Sequence, residues 1–364
     1  MDNVNDFFAT LSSFLWGWPM IVLLLGTHVF LTVRLRFPQR KLFTAIRISV
    51  QRDKSQKGDV SQFGALATAL AATIGTGNII GVATAVALGG PGAVFWCWLT
   101  GVFGISTKYS EALLAIKYRV KSESGRMLGG PMYTLERGLG WRKMGMLFAV
   151  FTAIAAFGIG CTVQANAIST IMHASYGINT EVSGGVLMLL SAAVIIGGVR
   201  SVSKVCSMLV PLMALLYVLG CIFILCVNAG YVMPALRLIV CSAFSPQAAG
   251  GGFAGASVIM AARYGIARGL FSNESGLGSA PIVAAAAQTR NPVRQALVSS
   301  TGTFWDTVII CALTGLVITS SIIAYPDIDY HNGAASPRLP SARFHTSVLL
   351  CSPSAWAPLP SAPP

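Results

Sequence analysis

The sequence predicts an all-α integral membrane protein. Three observations carry that prediction: the composition, the length of the apolar runs and the charge of the loops between them. Of the 364 residues, 54% are hydrophobic and 10% are charged, and the mean hydropathy is +0.69. Soluble domains carry about 25% charged residues, so this chain is too apolar to stay in water. Apolar runs near the ~20 residues that cross ~30 Å of hydrocarbon occur at 14–33, 62–88, 92–116, 145–172, 183–199, 206–229, 246–272 and 297–324.

The first run follows Asp2 and Asp6, with no basic stretch before it and no small-residue cleavage site after it. It therefore reads as a retained span and not as a signal peptide. The loop at 34–57 holds Arg34, Arg36, Arg40, Lys41, Arg47, Arg52, Lys54 and Lys57, which under the positive-inside rule makes it cytoplasmic and the N-terminus external. The basic loop at 117–143, the pair Arg200 and Lys204, and the pair Arg290 and Arg294 then fall inside as well. The external loops at 89–91, 173–182 and 230–245 hold a single Lys or Arg, Arg237. The net charge of +13 is thus spent on short loops beside lipid, and nucleic acid is not an expected partner. Cys97, Cys161, Cys206, Cys221, Cys226 and Cys311 lie within or at the edge of apolar stretches without CxxC spacing, as small hydrophobes. No metal-ligand cluster, catalytic dyad or cofactor motif appears, so the chain is not expected to be an enzyme.

Two spans do not read as continuous helices. In the second, Ala71-Ala72-Thr73-Ile74-Gly75-Thr76-Gly77-Asn78 puts two glycines and three polar side chains near the midplane. Glycine costs about 1 kcal/mol against alanine inside a helix, and polar groups in lipid need partners. One reading is close helix packing through Gly77 and Gly81. The other is an unwound break whose amides face a carboxylate and whose carbonyls face a cation. The seventh span offers a matching interruption at Gly250-Gly251-Gly252-Phe253-Ala254-Gly255-Ala256-Ser257. A second candidate for it is Arg268 to Gly278; the first is favoured because it keeps Asn273 and Glu274 near the cytoplasmic end. Paired interruptions in two halves of a membrane protein point to a midplane binding site between inverted repeats.

Several segments together identify a resemblance. Gly89-Gly90-Pro91-Gly92-Ala93-Val94-Phe95-Trp96-Cys97-Trp98-Leu99-Thr100, Gly75-Thr76-Gly77-Asn78-Ile79, Lys108-Tyr109-Ser110-Glu111, Gly129-Gly130-Pro131-Met132-Tyr133, Val163-Gln164-Ala165-Asn166 and the stretch from Gly265 to Pro281 closely resemble the alanine or glycine:cation (sodium:alanine) symporter family. Cys97 stands where that family usually has Met, which leaves the polar positions untouched. The resemblance implies a leucine-transporter-like fold of two inverted five-helix repeats after one extra N-terminal span. Residues 14–33 would be the extra span, 62–229 the first repeat and 246–324 part of the second, together forming a transmembrane domain over 1–330. It further implies a Na⁺-coupled importer of alanine or glycine in the cell membrane, the inner membrane of a bacterium. No cofactor is implied beyond Na⁺ as coupling ion. The implied substrate-binding residues are Thr73, Gly75, Thr76, Gly77, Asn78, Gln164, Phe253 and Gly255, with the carbonyls of Ala71 and Ile74 on sodium.

Other readings stand beside these. Gln164 equally suits a plain interhelical hydrogen bond. Lys108 and Glu111, one turn apart, can pair structurally. Asp306, ten residues into the last span, suits a gate or helix contact as well as a cation ligand. The composition turns to Ser, Pro and Ala over 331–364. That segment reads either as a linker or, preferred, as a shifted frame or fragment end, because the resemblance calls for three further core spans. An inactive truncated product, or a carrier of another small neutral amino acid coupled to H⁺, are the functional alternatives.

Overall fold

The computed structural model describes residues 2–51, 58–245 and 258–325. Nearly all of these residues are helical. In chain order the helices are α1 (Asp2–Leu15), α2 (Trp18–Arg34), α3 (Leu42–Val50), α4 (Gln62–Thr73), α5 (Val82–Gly89) and α6 (Gly92–Lys117). A two-stranded hairpin, β1 (Val120–Lys121) with β2 (Met127–Leu128), separates α6 from α7 (Pro131–Leu139). There follow α8 (Arg142–Ala155), α9 (Val163–Tyr176), α10 (Thr180–Ile195), α11 (Gly198–Val227) and α12 (Ala229–Phe244). The last are α13 (Val258–Asn273), α14 (Ala280–Ala285), α15 (Pro292–Thr303) and α16 (Ala312–Ala324). Segments of π-helix at Gly77–Gly81, Ala156–Thr162 and Phe304–Cys311 lead into α5, link α8 to α9 and link α15 to α16.

Among the described residues, three helical stretches are long and apolar enough to cross a membrane, at Arg142–Tyr176, Gly198–Val227 and Pro292–Ala324. Two bent pairs meet the same test when each is taken as one span. They are Trp18–Arg34 with Pro38–Val50, bent by 65°, and Gln62–Thr73 with Gly77–Gly89, bent by 51°. The chain is thus a membrane protein by length and composition. The first bend falls at Arg36 and Phe37, both with positive φ.

The segment expected as the external loop 230–245 is helical, forming α12. Arg237 is its one charge, and Ala235, Ile239 and Ala243 form a buried stripe at helical spacing. At ~1.5 Å per residue its 16 residues reach about 24 Å, short of a full crossing. Its end lies on the start of α6, where Trp96 Nε1 donates to the Ala243 carbonyl at 3.2 Å. The expected loop pair Arg200 and Lys204 likewise belongs to the first turns of α11.

The helix α6 is the central post, with α2, α12, α13, α14 and α15 packed around it. Its closest neighbour is α13, and glycine sets that approach. A Cβ at Gly265 would fall 2.8 Å from Trp96 Cβ, and one at Gly269 would fall 2.9 Å from the Cys97 carbonyl oxygen. Small residues four apart let two helices meet backbone to backbone, the main source of helix association where lipid is as apolar as leucine. We expect Gly265→Val to force the pair apart, at a cost at or above the ~1–3 kcal/mol usual for overpacking. A lowered thermal midpoint in detergent is the readout, and an unchanged midpoint would contradict this packing.

Two apolar clusters flank the post. One joins α4, α11 and the α15–α16 span through Leu66, Leu70, Ile74, Tyr217 and Val298. The other joins α5, α6, α12 and α16 through Val82, Val86, Ile239 and Ile318. The N-terminal span α2 is tied to α6 by polar contacts: Thr32 Oγ1 to Ser106 Oγ at 2.9 Å, and His28 Nδ1 with Thr107 Oγ1 at 2.8 Å.

Candidate functional site

Helix α4 stops at Thr73 because the next residues abandon its hydrogen-bond ladder. Ile74 turns to an extended conformation. The Gly75 amide, which a continuous helix would give to Ala71, goes to Asn78 Oδ1 at 2.9 Å. The Asn78 amide, which would close on Ile74, goes to the Gly75 carbonyl at 3.2 Å. The interruption expected at 71–78 is therefore present. Its consequence is that the carbonyls of Ala71 and Ile74 both lose their helical donors. Gly75's amide, expected to face a substrate carboxylate, is taken by Asn78.

The far side of Asn78 builds the centre of the site. Its Nδ2 donates to Asp306 Oδ1 at 2.8 Å and lies 3.1 Å from Ser272 Oγ. Asp306 Oδ2 accepts from Ser272 Oγ at 3.0 Å and from Thr307 Oγ1 at 2.7 Å. Cys311 Sγ lies 3.3 Å from Asn78 Nδ2. Asn78, Ser272, Asp306 and Thr307 are buried, none more than 2% exposed. Three spans far apart in sequence thus meet at one carboxylate. Among the described residues, Asp306 has no Lys or Arg within ion-pair distance. A buried ionised carboxylate costs heavily unless paired, and three donors offset part of that cost. The arrangement suits a small cation for the rest.

The preferred second interruption, Gly250–Ser257 with Phe253 and Gly255, falls outside the described residues. The alternative one, placed at Arg268 to Gly278, is present at 274–279. Here α13 ends at Asn273, Glu274 takes a φ of 52°, and Gly276 and Gly278 take φ of 91° and 85°. Asn273 Oδ1 holds the Ser275 amide at 2.9 Å, and Glu274 accepts from Ser279. The two interruptions are neighbours: a Cβ at Gly77 would lie 3.6 Å from Ser272 Cα.

Lys108 and Glu111 serve this second interruption instead of pairing with each other. Lys108 Nζ donates to the Asn273 carbonyl at 2.8 Å. The Glu111 carboxyl faces the amides of Gly276 and Gly278. Each thus satisfies backbone groups that the unwound chain exposes, which hydrocarbon cannot do.

Of the other anticipated residues, Gln164 is brought to the site: a Cβ on Gly75 would lie 3.2 Å from its Oε1. Thr73 is buried, Thr76 and Gly77 line the same turn, and Ala71 is exposed. Sequence reasoning gave Ser272, Thr307 and Cys311 no role at the site. Ser272 lay within a stretch already singled out, and nothing in one sequence says that it faces residue 306. The π-helical segments are a local signal, since each lies in the span that carries Asn78, Gln164 or Asp306. Such segments are frequent at functional sites because the wider turn re-aims side chains.

The chain is 51% identical over 334 residues to the sodium/alanine symporter AgcS of Methanococcus maripaludis, covering 90% of this chain and 73% of that one. It is 53% identical over 318 residues to an uncharacterized transporter of Haemophilus influenzae, covering 87% and 70%. A Bacillus subtilis relative named "Probable sodium/glutamine symporter GlnT" is 39% identical over 309 residues, covering 84% and 64%. The profile of the sodium:alanine symporter family matches residues 1–346, running past residue 331, where the composition changes. By the length of that match and the identity of these relatives, the chain belongs to the sodium:alanine symporter family.

Proposed function

We propose that this protein carries alanine, and with it glycine, inward across the cell membrane by coupling it to Na⁺, through alternating access in a leucine-transporter-like fold. The observation that carries this reading is the buried Asp306 carboxylate joining Asn78 at the first interruption to Ser272 in the last turn of α13, just before the second. A cation bound there reports its presence to both broken spans at once, which is what coupling requires. Sodium is held by Asp306 and Ser272, and by the carbonyls of Ala71 and Ile74 whose helical donors are diverted. The amino acid lies between the turn at Thr73, Gly75, Thr76, Gly77 and Asn78 and the amide of Gln164. Half-helix ends there favour its carboxylate. Phe253 and Gly255 belong to the same proposed lining on sequence grounds.

The test is reconstitution in liposomes with an inward Na⁺ gradient and labelled alanine. One arm uses this chain, and a second uses this chain extended by the further segment of its Methanococcus relative. Glycine and glutamine serve as competitors. Accumulation that follows the Na⁺ gradient in either arm, and yields to glycine, supports the reading. Accumulation driven by a proton gradient without Na⁺ would transfer it to H⁺ coupling. No gradient-driven accumulation in either arm would end it.

A further inference from the structure

The polar machinery described so far sits at the interruptions, yet a second cluster of unlike groups lies at the basic, cytoplasmic end of the same helices. There the residues that precede α4 pair with those that follow α14. Asp59 N donates to the Ala286 carbonyl at 2.8 Å, Gln288 N donates to the Val60 carbonyl at 2.7 Å, and Val60 bridges Ala287 in parallel fashion. Gly58 makes this approach practicable. Its φ is 146°, and a Cβ there would fall 2.5 Å from the Ala287 carbonyl oxygen.

One side chain grips the pairing. Arg119, just past α6, donates from Nη1 to the carbonyls of Ala285 at 2.9 Å and Ala287 at 2.8 Å, and from Nη2 to Thr289 at 2.6 Å. Ala285 ends α14, where a helix leaves acceptors unpaired and favours positive charge, and Ala287 and Thr289 follow in the segment that pairs with Asp59-Val60. Half-burial pushes the guanidinium below its ordinary pKa and Asp59 acts the other way, while an arginine stays charged throughout. Asp59 is itself held, its Oδ2 accepting the Met127 amide of the hairpin at 2.8 Å.

Between this clasp and the interruptions lies a cavity of about 10 Å³, bordered by Ala65, Thr73, Lys108, Asn273, Ala284 and Gly302. That is room for one water and not for an amino acid. Its α4 and α14 walls are Ala65, Ala69, Leu70, Thr73, Ala280 and Ala284, mostly alanine, so moving those two helices apart would open a passage from the interruptions that runs beside Leu70.

We propose that the cytoplasmic exit runs between α4 and α14, and that the Arg119 clasp on the pairing of Asp59-Val60 with Ala286-Gln288 is the gate that closes it. The proposal rests on the transporter reading above, and its primary test does not use transport. A cysteine replaces Ala284 in the full chain, and a maleimide is added to inside-out membrane vesicles, with the same chain lacking Ala284→Cys as background. Arg119→Gln is expected to raise the labelling rate at least tenfold and Arg119→Lys by less, because lysine cannot fork to three carbonyls. Gly58→Ala, which pushes the paired strands apart without touching Arg119, is expected to raise it too. A cysteine at Leu88, on the opposite half of the first broken span, should label at one rate in all four backgrounds. A structural weakening of the whole protein would move both cysteines. Unchanged labelling at position 284 in Arg119→Gln and in Gly58→Ala, or an equal rise at 88, would overturn the gate. A Val60→Cys, Ala287→Cys pair closed by oxidation should slow labelling at 284 below that of the unmodified gate. Failure of transport with these labelling changes intact would fall on the functional reading alone.

Discussion

Exchange of Asp306 for asparagine is expected to leave the protein folded and inserted but to raise the sodium concentration needed for alanine binding at least a hundredfold. The substitution keeps the volume and one acceptor, so contacts to Thr307 or Ser272 survive in part. What it removes is the one carboxylate at the meeting point of the three spans. It also sets the amide of residue 306 against that of Asn78, where a charged acceptor now takes a hydrogen bond at 2.8 Å. Hydrogen bonds to charged groups are worth about 1.5–3 kcal/mol each, and each 1.4 kcal/mol is a factor of about ten. The hydrogen bond and the lost cation contact together account for the hundredfold. Asp306→Ala should do more, since it leaves the donors of Asn78, Ser272 and Thr307 buried without an acceptor, and the thermal midpoint should fall as well. Sodium titrations of labelled-alanine binding, read beside thermal unfolding, separate the two. A sodium dependence in Asp306→Asn that matches the parent would remove Asp306 from the cation site.

Gly75→Leu is expected to abolish alanine binding with insertion intact. The residue is half-buried and its Cβ direction points at the Gln164 amide, 3.2 Å to Oε1 and 3.5 Å to Nε2. A leucine there would occupy the space between the first interruption and the α9 span, where the substrate is placed. Gly75→Ala demands only a few tenths of an ångström from a flexible side chain, so its loss should be about tenfold or less, in line with mild overpacking. Pairing it with Gln164→Ala tests the contact directly. Groups in contact show coupling of about 0.5–3 kcal/mol, and distant ones add independently. Additive losses, or normal binding by Gly75→Leu, would show that the amino acid sits elsewhere.

The two residues illustrate different degrees of legibility. Gly75 could be found from one sequence, because glycine and polar residues at midplane depth break the helical ladder wherever the chain runs, and the structure shows the amides of Gly75 and Asn78 diverted there. Asp306 could be flagged as an acid that hydrocarbon does not tolerate alone, but its role could not be chosen. The choice depends on Asn78 and Ser272, which lie 228 and 34 residues away.

By itself the sequence determined the all-helical membrane class, the position of the first interruption, the glycine and polar residues that make it, and the family resemblance. These follow from quantities local to the chain: apolar run length, the loss of ladder hydrogen bonds at glycine and the charge of short loops. Tertiary structure alone showed that the interruption at 274–279, offered by the sequence as the second candidate, is formed and how it is held. Asn273 and Glu274 looked too polar for the interior until Lys108, Glu111 and Ser279 were seen to satisfy that stretch from other turns and another helix. It also decided that 230–245 is a helix, since the buried stripe of α12 acquires meaning only against α6 and α16. The physical reason is common to both. In hydrocarbon a polar or unwound segment is tolerated only where partners supply its missing hydrogen bonds, and a sequence states the need without naming the partner.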